Sequence, residues 1–262
     1  MKRTKFPLIS IITVSYNAVS SIEETILSVI NQDFADYEYI IIDGGSTDGT
    51  VDIIKKYQDK ITLWISEPDK GIYDAMNKGI NVAKGEWCYF MNAGDYFYDL
   101  KLLANVNEKL KETEYSVVVG KVALYDKSSN VSKYFPEFKN DIIDYKPRYL
   151  FNSHLCHQAL LVRTLTYRSV GCFNLDYKFF SDFNTVYTII ANEKRFEKID
   201  LVIAKYNLDG VSANYKSAIK LFLESEIILK KCGDTSSRCL YYLRFMHIVL
   251  YYLKCFFLNK IK

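Results

Sequence analysis

The chain has 262 residues, of which 49% are hydrophobic and 25% are charged. It is therefore long enough and apolar enough to bury a sizeable core, and it does not have the composition of a disordered protein. The formal net charge is only +3, which argues against a dedicated nucleic-acid-binding protein, because such proteins concentrate basic residues on one surface.

The six cysteines form neither a CxxC pair nor a zinc-ligand spacing with histidine. Reduced thiols in a cytoplasmic protein are the simplest interpretation. The first seven residues are basic, but they lead into an apolar strand pattern rather than into the core of a signal peptide. The sequence therefore predicts a chain that is not exported.

The first 95 residues alternate between strand and helix patterns. Residues 8–14 form a continuous apolar, β-branched run, which is typical of a strand buried on both faces. Further strands are predicted at residues 37–42, 61–65 and 87–91. Ser20 and Glu23 have the spacing of a capping box at the start of the first helix. The alternation predicts parallel strands joined by right-handed crossovers, with helices on both faces of the sheet.

Polar residues follow the predicted strands at their carboxyl ends, which is where ligands bind in open parallel sheets. The four segments are Ser15-Tyr16-Asn17, Asp43-Gly44-Gly45-Ser46, Ser66-Glu67-Pro68-Asp69 and Asn92-Ala93-Gly94-Asp95. We therefore expect them to meet at one edge of the sheet and to form a ligand site.

The second of these segments has the strongest chemical signal. Gly44 and Gly45 allow close approach to the backbone, and Asp43 can accept hydrogen bonds from a ring N–H and a hydroxyl of a ligand. Asp48 lies at a predicted helix start, so an N-cap role is favoured for it. No GxGxxG follows the first strand and no P-loop motif is present in the sequence, which argues against a nicotinamide cofactor and against a P-loop enzyme.

Asp95 ends the fourth segment, beside Gly94. A carboxylate in such a loop suits Mg²⁺ or Mn²⁺, which prefer oxygen ligands and commonly share substrate phosphates. A single Asp after a strand is also common as an ordinary turn residue, so this position alone does not identify a metal site.

The second half of the chain has a looser pattern. Paired strands are predicted at 115–120 and 122–125, a loop at 127–154, strands at 158–162 and 199–206, and helices at 183–191 and 213–231. No internal repeat or low-complexity linker divides the chain, so residues 1–210 are expected to form one domain.

The last segment, residues 237–262, is rich in Leu, Tyr and Phe, but Arg244, His247 and Lys254 lie on one stripe of a helical projection. A cation near the centre of a membrane span costs about 2.5 to 3.5 kcal/mol on insertion scales. An amphipathic helix in the membrane interface therefore fits better than a spanning helix. A helix that packs on the domain or forms a dimer seam is the alternative.

Five motifs, in this order and at this spacing, resemble those of family 2 glycosyltransferases. They are the strand before Ser15-Tyr16-Asn17, then residues 43–50, 71–79 and 85–86, and Asn92-Ala93-Gly94-Asp95. The resemblance covers roughly residues 7–210 and is nearest to bacterial enzymes of O-antigen, capsule or exopolysaccharide synthesis. It implies the GT-A fold, an α/β fold with a Rossmann-like nucleotide-binding mixed sheet flanked by helices, here followed by a C-terminal helical tail.

The resemblance implies a donor site in the first half of the chain. Its nucleotide- and donor-binding residues would be Thr13, Ser15, Tyr16, Asn17, Asp43, Gly44, Ser46, Asp74, Asn77, Asn92, Ala93 and Gly94. Asp43 would hold the uracil or the ribose, and segment 71–77 would approach the ribose and the sugar. Asp95 would be the remaining carboxylate of the family's DxD motif and the ligand of Mn²⁺ or Mg²⁺. Many relatives have two carboxylates there, whereas this chain has one.

In the acceptor half, the resemblance implies that Asp182 is the catalytic base. The Glu that precedes this Asp in the family is Ser181 here, and Asp176 is the nearest competing carboxylate. His157 and Gln158 fall in the acceptor-facing stretch of the family. Segment 210–212 resembles a late loop that can close on the site.

The sequence thus predicts a nucleotide-sugar-binding half at 1–98, an acceptor-binding half at 99–210 and C-terminal helices at 211–262 that contact a membrane surface. The expected activity is an inverting, metal-dependent transfer of a hexose from UDP-Glc, UDP-Gal or UDP-GlcNAc to a polyprenyl-diphosphate-linked saccharide. The protein would lie at the inner face of the cell membrane and bind no nucleic acid.

Two alternatives stay open. A nucleotidyltransferase also has a Rossmann-like sheet, but it typically carries a basic, Gly-rich loop after the first strand, which residues 15–19 lack. A catalytically inactive nucleotide-sugar-binding or scaffold protein of a polysaccharide assembly complex is the second alternative, because Ser181 and the single Asp95 depart from the family pattern.

Overall fold

A computed structural model describes residues 6–125, 132–136, 138, 142–144, 155–193, 195–207, 218–231, 233 and 246. The strands are β1 Ile9–Ser15, β2 Tyr37–Asp43, β3 Leu63–Ser66, β4 Trp87–Phe90, β5 Tyr96–Phe97, β6 Val117–Tyr125, β7 Ser132–Phe135, β8 Ile142–Asp144, β9 Leu160–Arg163 and β10 Arg195–Asn207. The helices are α1 Ile22–Ile30, α2 Thr50–Lys56, α3 Ile72–Val82, α4 Leu102–Glu112, α5 Thr164–Ser169, α6 Ser181–Glu193 and α7 Ala218–Lys231. Short 3-10 turns are formed by Gln58–Lys60 and His157–Ala159.

The strands form one mixed, ten-stranded sheet with the order β3-β2-β1-β4-β9-β6-β10-β5, while β7 pairs with β6 and β8 with β10. The first four strands in this order are parallel, which confirms the predicted alternation. β9 then runs antiparallel between β4 and β6. The sheet therefore joins the first half of the chain to the later half through β9.

The register of the parallel strands brings the predicted ligand segments together. Ser15 is paired with Asp43, and Asp43 is paired with Ser66 on its other side. All seven residues of β1 are buried, as expected for a strand covered on both faces. The carboxyl ends of β1, β2 and β3 consequently meet at one edge of the sheet.

The first helix shows one local difference from the sequence prediction. Its N-cap is Ser21, and no side chain caps it. Glu23 instead binds the Lys56 ammonium and the Tyr57 hydroxyl, each over 2.6 Å. The predicted capping box at Ser20 and Glu23 is therefore wrong, because the carboxylate has stronger partners on the neighbouring helix.

The predicted pair of strands at 115–120 and 122–125 is also wrong, since β6 is one continuous strand. Gly120 does not form a turn. A Cβ at this position would lie 2.5 Å from the Ile203 side chain, so Gly120 allows β10 to approach β6 closely. The antiparallel partner of β6 at its end is β7.

The chain separates into two compact units, residues 1–208 and 209–262. The second unit contains α7, which begins at Ala218. Segment 210–212 and the predicted interfacial helix at 237–262 lie outside the described residues, apart from Met246. Within the part of the chain that the structure describes, no helix has both the length and the apolar character needed to cross a membrane.

Candidate functional site

Asp43 ties the ends of the first three strands together. Its Oδ1 accepts hydrogen bonds from the hydroxyls of Ser15 and Ser46, at 2.9 and 2.5 Å. Its Oδ2 accepts bonds from the Ser66 hydroxyl and from the amides of Gly45 and Ser46, at 2.7, 3.1 and 2.8 Å. Burial raises the pKa of Asp43, but the donors from Ser46, Ser66 and Ser15 outweigh it and hold the pKa below its usual value. Asp43 is thus a fully buried carboxylate that accepts five hydrogen bonds from the protein.

A second set of hydrogen bonds connects the loop after β1 with the loop after β2. The Asn17 amide donates to the Ser46 hydroxyl, and the Thr47 amide donates to Oδ1 of Asn17, at 2.8 and 3.0 Å. Asn17 has a positive φ of 48°, which is uncommon for a residue other than glycine. These bonds hold the two loops in one fixed arrangement beside the exposed ring of Tyr16.

Asp48 lies just before α2, and the N-cap role favoured for it from the sequence is wrong. Its Oδ1 accepts bonds from the amide and the hydroxyl of Thr50, while its Oδ2 accepts the amide of Val19. Gly49, not Asp48, has the N-cap position. Thr13 is fully buried, and its hydroxyl lies 3.0 Å from that of Tyr39, so its side chain belongs to the core.

Two predicted donor-binding residues of α3 bind other parts of the protein. Both ends of the Asn77 side-chain amide bond the backbone of Phe173, each over 2.8 Å. Oδ2 of Asp74 accepts the amide of Lys70 over 3.0 Å. Asn77 therefore holds the segment after α5 against α3, and Asp74 holds the turn that precedes α3.

The loop after β4 is held by backbone contacts and by one buried hydroxyl. The Ala93 amide donates to the Val14 carbonyl over 3.1 Å. The Thr25 hydroxyl accepts the amide of Gly94 and donates to the carbonyl of Asp95, at 2.9 and 2.8 Å. Asp95 is only 5% exposed. Its position is thereby fixed from β1 and from α1.

His157 and Gln158, two consecutive residues before β9, contact the two carboxylates that the sequence singled out. Nδ1 of His157 lies 2.8 Å from Oδ2 of Asp182. Nε2 of Gln158 donates to Oδ2 of Asp95 over 3.1 Å. On the other side of the imidazole, Nδ2 of Asn92 lies 2.8 Å from Nε2 of His157. An amide that donates to Nε2 leaves the proton of a neutral imidazole on Nδ1, directed at Asp182.

Asp182 lies in the first turn of α6. The hydroxyl of Tyr73 lies 2.9 Å from Oδ1 of Asp182 and 2.8 Å from the Phe179 carbonyl oxygen, so these two acceptors share its single proton. Burial raises the pKa of Asp182, but hydrogen bonds from His157, the Phe183 amide and Tyr73 keep it below its usual value. The Asp182 side chain is 17% exposed, so an ionised carboxylate remains accessible from solvent.

The two other residues considered near the base have different environments. Ser181 is fully buried and donates from its hydroxyl to the Asn174 carbonyl over 2.7 Å. Asp176 is exposed, and its amide bonds Oδ1 of Asn174. Of the two aspartates, Asp182 has the fixed orientation that a proton acceptor needs.

The donor set around Asp95 suits a hard cation that is shared with a ligand. Among the described residues, no group of three or more His, Cys, Asp or Glu side chains could hold a metal ion. Oδ1 of Asn92, in the same loop as Asp95, is buried without a hydrogen-bond partner in the described structure. One carboxylate and one amide oxygen fit Mg²⁺ or Mn²⁺, which keep waters and phosphate oxygens as further ligands.

The structure thus brings together Asp182, His157, Asn92, Gln158 and Asp95, which were all predicted from the sequence. Tyr73, which holds Asp182, was not predicted individually. It lies within the segment 71–79 of the resemblance, but its reach to a residue 109 positions later has no local signal. Thr25 was missed as well, because a threonine within a helix pattern gives no indication that it anchors a distant loop.

Comparison with known proteins shows the family to which the chain belongs. Residues 10–170 match the sequence profile described as glycosyl transferase family 2. A PGL/p-HBAD biosynthesis glycosyltransferase of Mycobacterium tuberculosis is 31% identical over 213 residues, which make up 79% of this chain and 80% of the relative. An uncharacterized glycosyltransferase of Rickettsia typhi is 28% identical over 187 residues, which are 70% of this chain and 58% of that relative.

Solved structures share the fold at lower sequence identity. S. aureus TarS 1–349 in complex with UDP-GlcNAc has a TM-score of 0.69 and 20% identity, and the match covers 89% of this chain and 69% of TarS 1–349. The mannosyltransferase PcManGT from Pyrobaculum calidifontis, in complex with GDP-Man and Mn²⁺, has a TM-score of 0.64 and 18% identity, with 95% of this chain and 70% of the other covered. The match over residues 10–170, together with these fold neighbours, establishes that the chain is a glycosyltransferase of family 2 with the GT-A fold.

Proposed function

We propose that this glycosyltransferase transfers a hexose, with inversion and with the help of a divalent metal, from a UDP-sugar to a lipid-diphosphate-linked saccharide. UDP-Glc, UDP-Gal and UDP-GlcNAc are the proposed donors, and synthesis of a bacterial surface polysaccharide is the proposed setting. The observation that carries the proposal is the ionised, oriented Asp182, held by His157 and Tyr73.

In the proposed reaction, the acceptor hydroxyl gives its proton to Asp182 while its oxygen attacks C1 of the donor sugar. Each carboxylate oxygen has two lone pairs, so the bonds from His157 and Tyr73 leave Asp182 able to accept a further proton. The bond from C1 to the diphosphate breaks as the new bond forms, and UDP leaves. Attack from the opposite face converts an α-linked donor into a β-linked product.

Asp95 and the amide oxygen of Asn92 would hold Mg²⁺ or Mn²⁺ together with the donor diphosphate. When bound, the ion neutralises charge on the leaving diphosphate. Gln158 donates to Asp95 and fixes the orientation of its carboxylate. The loops after β1 and β2 would bind the nucleoside, and this proposal is supported by their mutual hydrogen bonds and by the exposed ring of Tyr16.

The lipid-linked acceptor and the location at the inner face of the membrane rest on the sequence of residues 237–262. Their apolar and basic residues fit a helix in the membrane interface, which would keep the site near a lipid-borne substrate. We expect removal of residues 237–262 to release the protein from anionic vesicles in a flotation assay. Continued binding of the shortened chain would contradict this part of the proposal.

The activity is tested by release of nucleotide from a panel of UDP- and GDP-sugars. The assay uses purified full-length protein, Mn²⁺ or Mg²⁺, and a synthetic lipid-diphosphate-linked GlcNAc or GalNAc. Asp182→Asn should lower turnover about 10²- to 10⁴-fold, with UDP binding retained, because it removes the proton acceptor. Asp176→Asn is the matched control, and a surface change of this kind should alter turnover by no more than about twofold.

The assay also separates the rival function. Saturable UDP binding with no turnover for any pair of donor and acceptor would favour the inactive binding protein. Turnover that depends on the acceptor and on Asp182 would exclude it.

A further inference from the structure

The carboxylate of Asp69 covers the α carbon of Gly44. A Cβ placed on Gly44 would lie 2.4 Å from Oδ2 of Asp69 and 3.3 Å from Cδ2 of Tyr16. Any side chain at position 44 would therefore displace Asp69. Three residues that follow or end three adjacent strands thus form one small patch. Tyr16 supplies an aromatic ring, Gly44 supplies backbone without a side chain, and Asp69 supplies a carboxylate.

Asp69 is held firmly in this patch. Its Oδ1 accepts the amide of Gly71 over 2.8 Å. Earlier in the same loop, the amide of Glu67 donates to the Asp43 carbonyl over 3.0 Å. In contrast, Oδ2 of Asp69 accepts no hydrogen bond from any residue that the structure describes. One acceptor oxygen is therefore oriented towards Gly44 and available to a ligand.

Asp43, the carboxylate first expected to hold the base, differs from Asp69 in its burial and its hydrogen bonds. It is fully buried, and hydrogen bonds from the protein engage both of its oxygens. If Asp43 bound a ligand, one of those hydrogen bonds would have to break. A buried donor would then be left unpaired, which costs free energy. Asp69 can accept a bond from a ligand without this cost.

Tyr16 supplies the second element of a base-binding site. Its side chain is 66% exposed although it lies beside the buried end of β1. Nucleobases stack on exposed aromatic rings of this kind, and the stacking contributes affinity for any base. Selection among bases must then come from hydrogen bonding at the edge of the stacked ring.

We propose that Asp69 selects the base of the donor nucleotide by accepting the imide N3–H of a uracil ring that stacks on Tyr16. The inference rests on the proposed donor site and adds to it the residue that reads the base. Uracil presents one N–H between two carbonyls, which matches the single available oxygen of Asp69. N3 of cytosine is instead an acceptor and would face a carboxylate, so the comparison of UDP with CDP tests the proposal.

Asp69→Asn tests the proposal, because an amide can reverse the preference. With Oδ1 of the new Asn on the Gly71 amide, its Nδ2 would face the base as a donor. We expect this variant to bind UDP about tenfold or more weakly and CDP about tenfold more tightly than the wild type. Calorimetric titration of the full-length protein with UDP, CDP and GDP, in Mg²⁺, measures both changes.

Two further variants separate base reading from a structural role. Asp69→Ala should bind UDP and CDP about equally, because it removes both the bond to uracil and the repulsion from cytosine, so only Asp69→Asn should prefer CDP. Asp52→Asn makes the same change of charge at an 82% exposed side chain on α2 and should leave all three affinities unchanged. A parallel loss for every nucleotide in Asp69→Asn would overturn the inference, since it would mean that Asp69 only supports the loop.

The nucleotide titrations also distinguish a failure of base selection by Asp69 from a failure of the proposed donor site. If the wild type binds UDP and Asp69→Asn leaves the order of UDP and CDP unchanged, base selection by Asp69 is wrong and the donor site stands. If the wild type binds CDP as tightly as UDP, the inference is also wrong. If the wild type binds no nucleotide at all, the proposed donor site fails together with it.

Discussion

Gln158 donates a hydrogen bond from Nε2 to Oδ2 of Asp95 over 3.1 Å. The preceding residue, His157, contacts Asp182 over 2.8 Å. One 3-10 turn therefore fixes the proposed metal ligand and the proposed base at the same time. Substitutions that disrupt this turn should affect both carboxylates, whereas substitutions that remove a single hydrogen bond can separate their roles.

Two substitutions of His157 separate the contact with Asp182 from the contact with Asn92. The amide nitrogen of Asn is as far along the side chain as Nδ1 of His, and that of Gln corresponds to Nε2. His157→Asn can retain the bond that lowers the pKa of Asp182, whereas His157→Gln loses it. We expect the acid limb of kcat/KM against pH to move to higher pH in His157→Gln and to stay near the wild-type position in His157→Asn.

The sign follows from the role of Asp182 as an ionised base. Activity falls as pH drops through its pKa, so a higher pKa moves the loss of activity towards neutral pH. Equal pH profiles for the two variants, at whatever overall rate, would contradict a role for His157 in setting the ionisation of Asp182.

Removal of the Tyr73 hydroxyl should affect the rate more than substrate binding. Tyr73→Phe keeps the ring that packs on Phe173 but loses the bond to Oδ1 of Asp182. We expect kcat to fall about tenfold with KM nearly unchanged, because one hydrogen bond that orients the base is lost. Tyr57→Phe is the matched control, since its hydroxyl binds Glu23 on α1 and touches no residue of the proposed site. Equal effects of both substitutions would count against this role.

Chelation of divalent ions should abolish turnover, and Asp95→Asn should raise the concentration of Mn²⁺ needed for half-maximal activity. An effect of about tenfold or more is expected, since Asp95 would be the carboxylate that anchors the ion to the protein. Calorimetric titration of Mn²⁺ in the presence of UDP gives a second measurement that does not depend on turnover. Asp99→Asn, at an exposed position four residues later, should change neither quantity. Full activity in EDTA would exclude a metal requirement.

Asp43 should make folding stability depend on pH. Its folded-state pKa lies below its usual value despite burial, because of donors from Ser46, Ser66 and Ser15. The stabilisation by ionised Asp43 is therefore complete above the usual Asp pKa of about 4, and it is lost as pH falls through the lowered folded-state pKa. Asp43→Asn, which cannot accept all five bonds, should lower the free energy of unfolding by about 3 kcal/mol at neutral pH.

Urea denaturation at several pH values checks this expectation. The difference between wild type and Asp43→Asn should shrink as pH falls below about 4, first because the carboxylate of the unfolded chain takes up a proton and then because that of the folded protein does. Asp52→Asn, on the exposed face of α2, should differ little from wild type at any pH. A constant difference between wild type and Asp43→Asn at all pH values would show that ionisation of Asp43 is not the cause.

The parallel half of the sheet and its polar strand ends could be predicted because their signals are local. Apolar runs of four to seven residues mark β1, β2 and β4, and ligand-binding residue types follow each run. The register that pairs Ser15 with Asp43 and Asp43 with Ser66 then follows from parallel strands that end together. Asp43 was expected to bind a ligand, but no sequence pattern indicated that the protein itself supplies five donors to it.

The contacts across the site could not be predicted in the same way. Tyr73 reaches Asp182 across 109 positions, and His157 reaches Asn92 across 65. These contacts depend on the insertion of β9 between β4 and β6, and β9 is a short apolar strand without a signal for its neighbours. The continuous course of β6 was missed for a related reason, since Gly120 resembles a turn residue until Ile203 is known to lie against it.

The pairing of β9 with strands on both of its edges has a consequence for how acceptor choice can diverge. Hydrogen bonding to β4 and β6 holds Leu160–Arg163 in the middle of the sheet, and the contacts of His157 and Gln158 lie just before it. We therefore expect that sequence changes between β8 and Cys156 can alter acceptor choice while the pairing of β9 keeps these contacts in place. The proposed reaction chemistry would then stay the same.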